Sequence, residues 1–210
     1  MKWSTVFTLI FVGLLIALPL QALPAGTLPK PEESSDPESQ KEESFAPPRT
    51  DAVFSVWDSK AEKVVSMNEW DFIFYTVAAE MPVDYGEEAL KAQTVASYTY
   101  FCRQRLSQKK SPSAALHGAD FADVPSCFPD GYTDDYLKEK WGNRYTECRR
   151  TLEKAVNAVF GQTLTYEGEL IIAAYHAISC GNTEAASVVW NTDYPYLKSV
   201  PCPGDPLAEG

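Results

Sequence analysis

The sequence predicts an α+β fold: a single mixed domain, in which a helical hairpin packs with a small β-sheet, after an N-terminal membrane anchor and a disordered linker. Residues 66–105 carry two helical patterns separated by a short turn, and residues 51–65 alternate in places between apolar and polar side chains, as strands do. Residues 23–50 have too few apolar side chains to fold. We therefore divide the chain into segments 1–22, 23–50 and 51–210.

The first segment, residues 1–22, is predicted to be a membrane anchor or a secretion signal. Lys2 is followed by no further charge until Lys30, and residues 5–18 are almost wholly apolar. The lack of a clear Ala-x-Ala cleavage site favours an uncleaved anchor, whereas Pro19 shortens the apolar core and favours a cleaved signal.

The second segment, residues 23–50, is the predicted linker, with six prolines, many serines and glutamates and a single aromatic residue, Phe45. The whole chain has 210 residues, a net charge of −11 and a sequence pI of about 4.6. Such a chain has no electrostatic reason to bind nucleic acid or anionic lipid. The linker carries six acidic and three basic residues, so it holds part of the negative excess.

The folded domain should begin with two short strands and a helix. The strands cover residues 53–57 and 63–65, on either side of a polar turn. Ser66 and Glu69 have the spacing of a capping box, and the apolar residues that follow them recur at helical spacing. The first helix is therefore predicted to start just after Ser66.

The first helix should end near Glu80, because Pro82 disfavours helical geometry at the residue before it. The second helix is predicted over residues 87–105. One of its faces carries a stripe of small side chains that would let another backbone approach closely, formed by Ala89, Ala92 and Ala96.

The remainder of the domain is predicted to contain a loop, a broken helix and a hairpin. Residues 107–135 are rich in Ser, Pro, Asp and Gly, which indicates a long irregular segment. Residues 136–160 have a helical pattern with a break at residues 142–143. Two strands, at residues 163–166 and 170–176, should form a hairpin, and the second strand, apolar throughout, should be central and covered on both faces.

Glu80 is the residue whose position points to chemistry. It lies in the last turn of the predicted helix, where exposed carbonyl groups carry partial negative charge, so its pKa should rise. Ala78 and Ala79 leave room for a ligand to reach it. An acid that stays protonated near neutral pH is what glycosidic bond cleavage requires. The alternative is a solvated glutamate at a helix end.

Four stretches of the sequence resemble the stage II sporulation protein D family, in the family's order, and together span roughly residues 53–205. The stretches are VAAEMP at 77–82 followed by EALKAQTVA at 88–96, AVNAVFGQTLTYEG at 155–168, AYHAISCGNTE at 174–184, and VW at 189–190 with YPYLKSV at 194–200. The resemblance implies that residues 51–210 form a lytic transglycosylase domain acting on peptidoglycan. The family's catalytic glutamate corresponds to Glu80.

Four further residues are predicted to bind the substrate. Gln93, on the small-residue face of the second helix, would orient it. Ser179 and Thr183 match a Ser-Gly-Gly-x-Thr type of loop that lies beside the active site in the family, and their hydroxyls would bind sugar hydroxyls. Tyr98 stands where the family commonly has an arginine, a difference that would weaken activity or alter the substrate.

No metal or other cofactor is predicted. Some members of the family hold zinc with one His and two Cys in the region of residues 107–135. In this chain His117 and Cys127 match two of those ligands, and Ala122 takes the place of the third. Two ligands are too few for a structural zinc site, which is almost always four-coordinate.

The cysteine count leaves two interpretations open. The five cysteines are Cys102, Cys127, Cys148, Cys180 and Cys202, and an odd number leaves at least one unpaired in a monomer. Outside the membrane, Cys180 and Cys202 could form a disulfide, since both flank the C-terminal motif. Alternatively, the cysteines are buried thiols that act as small apolar side chains.

A single indicated acid fits a lytic transglycosylase better than a hydrolase, because hydrolases generally use two carboxylates. The resemblance implies a role in engulfment during sporulation, with the anchor in the cell membrane and the domain outside. The expected partners are peptidoglycan glycan strands, a cell-wall amidase and membrane engulfment proteins, but not nucleic acid. The alternatives are a catalytically weak glycan-binding scaffold that works with an amidase, and a different cell-wall hydrolase of the same fold.

Overall fold

The computed structural model describes residues 51–122 and 130–205. The predicted anchor at residues 1–22 and the predicted linker at residues 23–50 lie outside the described residues. Within the described ranges, no helix combines the length and the apolar character that a membrane span requires.

A three-stranded sheet opens the domain, and its first two strands are the ones that the alternating pattern predicts. Strands β1 (Val53–Asp58) and β2 (Lys63–Asn68) pair antiparallel, and β3 (Phe121–Ala122) lies parallel to β1 on its other side. The Asp58 carboxylate holds the turn after β1, because it accepts 3.0 Å hydrogen bonds from the backbone N–H groups two and three residues later. Strand β3 interrupts the region 107–135, which the sequence predicts to be irregular.

The predicted helical hairpin is present. It consists of α1 (Glu69–Glu80) and α2 (Glu87–Lys110), joined by a 3₁₀ turn at Val83–Tyr85. Gly86 ends the turn with a φ of +96°, a conformation that glycine adopts at little cost. Helix α2 extends beyond the predicted end at Arg105, and two lysines in its last turn interact favourably with the helix dipole.

The predicted capping box at Ser66 is wrong. Ser66 lies within β2, opposite Ser55 of β1, and the strand continues to Asn68. Asn68 caps α1, since its side-chain oxygen accepts a 2.9 Å hydrogen bond from the backbone N–H of Trp70. Asparagine caps a helix as well as serine does, so strand pairing decides which residue becomes the cap.

Glu69 has a different role from the one the capping box assigns. Its side chain is buried, and its carboxylate accepts hydrogen bonds from the Arg105 guanidinium and from the Tyr98 hydroxyl, the latter at 2.8 Å. A carboxylate removed from water costs several kcal/mol unless such partners are present. This polar cluster ties the start of α1 to α2.

Two further helices follow, with a break where the sequence predicts it. Helix α3 (Asp134–Trp141) leads through a 3₁₀ turn at Gly142–Arg144 into α4 (Tyr145–Val159). Helix α4 packs against α2 through its apolar face. The fully buried residues of that face are Leu152, Ala155 and Val156.

Aromatic rings fill the core between the sheet and the helices. Phe54 of β1 lies with its ring centroid 5.4 Å from that of Phe72 in α1, 6.3 Å from Phe101 in α2 and 5.5 Å from Phe121 in β3. Tilted and edge-to-face ring pairs add about 0.5–1.5 kcal/mol each beyond the burial of their area. These contacts hold the strands against the helical hairpin.

The small-residue stripe of α2 is not its buried face. Ala92 is exposed, and Ala89 and Ala96 are partly exposed. The buried face instead carries larger and more polar side chains, among them Leu90, Gln93, Thr94 and Ser97. Gln93 therefore points into the domain, and the alanines beside it form an open surface.

The predicted hairpin is present in part. Strands β4 (Thr165–Tyr166) and β5 (Glu169–Leu170) pair antiparallel across Glu167 and Gly168, both of which have the positive φ that a two-residue hairpin turn requires. Residues 171–176 are irregular rather than strand.

The prediction of a central strand at residues 170–176, covered on both faces, is wrong. Only Ala173 is buried among residues 171–176, and residues 174–176 are exposed. An apolar run indicates a covered segment, but a strand also needs a neighbour to pair with. The described chain beyond it is irregular except for the short helix α5 (Ala186–Val189) and a bridge between Asn182 and Pro201.

Candidate active site

Glu80 is the last residue of α1, as the following proline predicts. Met81 has an extended backbone, and its N–H bonds to the Val77 carbonyl oxygen at 3.0 Å, which closes the last turn. The Lys140 ammonium of α3 donates a 2.6 Å hydrogen bond to the Ala78 carbonyl oxygen. This contact satisfies one of the carbonyl groups that a helix end leaves open. Glu80 therefore sits at a helix C-terminus next to a cation.

The environment of the Glu80 carboxyl raises its pKa. Glu80 is exposed as a residue, but the protein displaces part of the hydration of its carboxyl, and this loss of hydration raises the pKa of Glu80 above its ordinary value. A hydrogen bond from the Tyr175 hydroxyl and the positive charge of Lys140 lower the same pKa and limit the rise. The direction agrees with the sequence-based expectation, although lost hydration is its main cause.

Tyr175 connects Glu80 to Gln93. Its hydroxyl donates a hydrogen bond to Glu80 and receives one from the Gln93 amide. The Tyr175 residue is exposed, but the protein displaces water from around its hydroxyl. This loss of hydration, together with the charge of Glu80, raises the pKa of Tyr175, so the hydroxyl stays protonated and remains a donor. The Gln93 side chain is 6% exposed, and its amide also donates to Ser97 Oγ at 3.1 Å. The structure thus brings two predicted site residues together.

Tyr175 is the site residue that the sequence analysis did not assign. Tyr175 belongs to the stretch 174–184, which carries part of the family resemblance. That resemblance could have indicated Tyr175 as a site residue. Its setting in the apolar run 170–176 instead suggested a strand. Because these residues are irregular, the chain can bring the Tyr175 hydroxyl to Glu80 and Gln93, which lie on two different helices.

Tyr98 does not lie beside Glu80. Its hydroxyl donates to Glu69 at the start of α1, and its ring packs against Phe54 and Phe160. The axis of α1 separates Glu69 from Glu80 by about 16 Å, at 1.5 Å per residue. Tyr98 therefore has a packing role, and we do not include it in the site.

Ser179 and Thr183 hold the loop that follows Tyr175. Ser179 Oγ accepts a 3.2 Å hydrogen bond from the Gly181 N–H. Thr183 Oγ accepts a 2.9 Å bond from the Val200 N–H and donates to the Lys198 carbonyl oxygen at 3.4 Å. Both hydroxyls shape this loop, and their contact with sugar stays a prediction.

The structure locates most of the residues that the sequence suggests for metal binding and for disulfides. His117 stacks on Trp57, with ring centroids 3.9 Å apart, and Cys127 lies outside the described residues. In residues 51–122 and 130–205 no group of three or more His, Cys, Asp or Glu side chains could hold a metal ion. Cys180 and Cys202 carry free thiols in the structure, and the free thiols of Cys102 and Cys148 are buried.

A cavity of about 440 Å³ opens beside Glu80. Ala79 and Met81, the two neighbours of Glu80 in the chain, form one wall. Lys140 and Trp141 of α3 also line it. The cavity and the Glu80 carboxyl therefore share Lys140 as a neighbour.

Comparison with known proteins gives the family. The model of the Stage II sporulation protein family, SpoIID, matches residues 58–166, about half of the chain. The chain belongs to this family. The matched range contains Glu80 and Gln93, and Tyr175 lies beyond its end.

Curated relatives of the Stage II sporulation protein family agree with this assignment. The chain is 36% identical over 135 residues to Stage II sporulation protein D of Bacillus amyloliquefaciens, and 34% identical over 137 residues to that of Bacillus subtilis. Each alignment covers 64% of this chain and 38% of the relative. A third relative, the Amidase enhancer of Bacillus subtilis, is 34% identical over 119 residues, which cover 56% of this chain and 13% of the relative. The chain thus spans well under half of the length of these relatives.

Proposed function

We propose that this protein is a peptidoglycan lytic transglycosylase that cleaves the glycosidic bond between muramic acid and glucosamine units and leaves a 1,6-anhydro end. The observation that carries the proposal is the Glu80 carboxyl, whose pKa is raised and which is hydrogen-bonded to Tyr175 at an open edge of the domain. Membership of the Stage II sporulation protein family supports it.

In the first step, protonated Glu80 donates its proton to the oxygen that bridges the two sugars, and the bond from that oxygen to the muramic acid C1 breaks. The C6 hydroxyl of the same muramic acid then attacks C1, and its proton passes to the Glu80 carboxylate. The reaction consumes no water and restores the acid. Because the nucleophile belongs to the substrate, it is held near C1 before the reaction.

The surroundings of Glu80 suit a residue that acts first as an acid and then as a base. Lost hydration favours the protonated carboxyl before the first step, and the Tyr175 hydroxyl stabilises the carboxylate that the step leaves behind. Within the described residues, the groups that shift the pKa of Glu80 are Tyr175 and Lys140, and neither is a carboxylate. This favours attack by the substrate over hydrolysis with a second carboxylate.

Gln93 supports the same chemistry through Tyr175. Its buried amide lies close enough to the Tyr175 hydroxyl to donate to it, which would leave the phenolic proton for Glu80. The open alanine face of α2 beside Gln93 leaves space for a glycan strand. Ser179 and Thr183 would contact the sugars from the loop that follows Tyr175.

We place the enzyme at the outer face of the cell membrane, held by residues 1–22, in the engulfment step of sporulation. Peptidoglycan glycan strands are its substrate. A cell-wall amidase and membrane engulfment proteins are its partners, and the relative named Amidase enhancer supports the amidase. If residues 1–22 are cleaved, the protein is secreted.

The decisive experiment compares wild-type protein with Glu80→Gln on purified glycan strands, with the products identified by mass spectrometry. The wild type should release 1,6-anhydro products, and the variant should lose at least about a hundredfold in rate, because a general acid contributes about 10²–10⁴. Glu88→Gln is the matched control, since Glu88 is exposed and lies in α2. It should keep full activity.

The same experiment tests the alternatives. The name of the Amidase enhancer relative favours a glycan-binding scaffold as the second candidate. In that case wild type and Glu80→Gln bind strands equally and neither releases product. Free reducing ends in place of anhydro ends would identify a hydrolase and contradict the proposed mechanism.

A further inference from the structure

Segments 179–183 and 199–205 pair with each other in antiparallel fashion. Asn182 and Pro201 form a bridge, and backbone hydrogen bonds of 2.9 and 2.8 Å flank it on either side. The Ser199 hydroxyl adds a 2.6 Å bond to a carbonyl oxygen of the other segment. Several independent contacts therefore fix the register of the two segments.

This register brings two cysteines next to each other. Cys202 donates its backbone N–H to the Gly181 carbonyl oxygen at 2.8 Å, and Cys180 directly precedes Gly181. On the other side of Cys180, the Ser179 N–H bonds to the Asp205 carboxylate at 2.7 Å. Both chain neighbours of Cys180 are thus tied to the turn that Cys202 begins and Asp205 ends, so Cys180 lies against this turn.

The spacing of the two backbones suits a disulfide. Directly opposite residues of an antiparallel pair lie about 4.5–5.5 Å apart between Cα atoms, and a disulfide spans about 4.4–6.8 Å between them. Cys180 is one residue removed from the position opposite Cys202. An extended strand would turn its side chain to the other face, but Gly181 has a φ of +102° and interrupts this alternation. Closing the bond therefore requires rotation of the side chains and no new register.

Both sulfurs are open to a redox partner. Cys180 is exposed and Cys202 is partly exposed, whereas Cys102 and Cys148 are buried in the core. Burial raises the pKa of the Cys102 and Cys148 thiols, which makes them poor nucleophiles. The Cys202 thiol makes a 3.9 Å contact with the Val200 carbonyl oxygen, and a thiol is a weak donor, so little is lost when it turns away.

We propose that Cys180 and Cys202 form an intramolecular disulfide in exchange with an oxidant that itself carries a disulfide. The Cys180 thiolate attacks one sulfur of the oxidant, whose S–S bond breaks and releases a first thiol. The Cys202 thiolate then attacks the Cys180 sulfur and releases a second thiol. The two cysteines lose two electrons, which reduce the oxidant, and their two protons pass to the two thiols that leave.

The disulfide secures the segment that carries two of the predicted sugar-binding residues. Ser179 directly precedes Cys180, and Thr183 lies three residues after it. The bond also closes the chain from Cys180 to Cys202 into a loop, which removes freedom from the unfolded chain. Because it forms between backbones that already pair, it does not depend on the chemistry at Glu80.

Peptide mapping tests the disulfide directly. The full-length protein is reduced, freed of reductant, treated with oxidised glutathione, alkylated and digested with trypsin. Trypsin cleaves after Lys198, so the two cysteines fall into peptides 155–198 and 199–210. Mass spectrometry should find these two peptides linked in the oxidised sample and separate after treatment with dithiothreitol.

Thermal unfolding supplies a second measurement. Oxidation should raise the Tm of the wild type by about 5–10 °C, the range for a disulfide that closes a loop of roughly 20 residues in a domain of this size. Cys180→Ser and Cys202→Ser should each lose this increase and unfold like the reduced wild type. Cys127→Ser removes a different cysteine and is the control, since it should keep both the linked peptides and the increase.

Oxidised wild type without linked peptides would overturn the proposal, and so would glutathione retained on Cys180. A bond from Cys180 to another cysteine or to a second molecule, or a Tm increase that persists in Cys180→Ser, would contradict it as well. The result is separable from that of the proposed function. Glu80→Gln should form the same disulfide whether or not the wild type releases 1,6-anhydro products.

Discussion

At the scale of single residues, two opposing effects of the environment set the pKa of Glu80. Lost hydration favours the protonated acid, whereas Tyr175 and Lys140 favour the carboxylate. An acid that must give up a proton and then take one back needs both effects. If only the first operated, Glu80 would hold its proton too firmly to act as a donor.

Tyr175→Phe tests this balance. Without the hydroxyl, nothing at this position stabilises the Glu80 carboxylate, so the pKa of Glu80 rises further. Activity requires the protonated acid and is lost as the pH rises through this pKa. The alkaline limb of kcat/KM should therefore move to higher pH, while the rate at the optimum falls about tenfold, the effect of one hydrogen bond to a charged group.

Tyr98→Phe is the control for this experiment, because it also removes a hydrogen bond to a glutamate of α1, at the other end of that helix. Its pH profile should match that of the wild type, although its stability falls. An alkaline limb that stays in place in Tyr175→Phe, or moves to lower pH, would show that Tyr175 does not set the acidity of Glu80.

At the scale of elements, helix α1 carries Glu80 at one end and begins directly where β2 ends. The strand and the helix share Asn68, the last residue of β2 and the cap of α1. The start of α1 is therefore tied to the register of the sheet. The other end of α1 is set by Met81 and the proline after it, and is closed by the Lys140 contact with the Ala78 carbonyl oxygen.

Asn68→Ala should lower the free energy of unfolding by about 1 kcal/mol, the usual cost of losing a helix cap. Ser66→Ala is the matched comparison, because the sequence pattern assigns the cap to Ser66 and the structure puts Ser66 in a strand. It should change the free energy by no more than about 0.5 kcal/mol. Urea denaturation of both variants measures the difference, and the opposite order would restore the capping box.

At the scale of the whole molecule, charge works against the proposed substrate. The chain has a net charge of −11, and cell walls carry anionic groups. Long-range repulsion should slow the approach of protein to wall, whereas direct contacts between the two surfaces act only at short range. The two effects differ in reach, so salt separates them.

Binding of the full-length protein to intact cell-wall sacculi, measured by co-sedimentation, should increase between 10 mM and 150 mM salt. Over that range the screening length falls from about 30 Å to about 8 Å, which removes the long-range repulsion first. Sacculi stripped of anionic polymers should show a smaller increase. Binding that falls steadily with salt would mean that local cationic contacts dominate.

The sequence by itself determined the parts of this protein that depend on neighbouring residues. Pro82 ends α1 at Glu80, and Gly142 separates α3 from α4. Glu167 and Gly168 form the turn of the hairpin. Each of these effects acts within a few residues. The family resemblance predicts Glu80 as the catalytic residue, and the position of Gln93 on its helix predicts a role in orienting the substrate.

Only the tertiary structure decided the features that depend on residues far apart in the chain. Because Ser66 pairs within the sheet, Asn68 caps α1. Tyr98 donates its hydroxyl to the buried Glu69 and so packs at the start of α1. The irregular path of residues 171–176 places Tyr175 beside Glu80. A local pattern states what a segment can form, but it does not say which distant group meets it. For that reason Glu80 could be selected from the sequence, whereas the Tyr175 hydroxyl beside it could not.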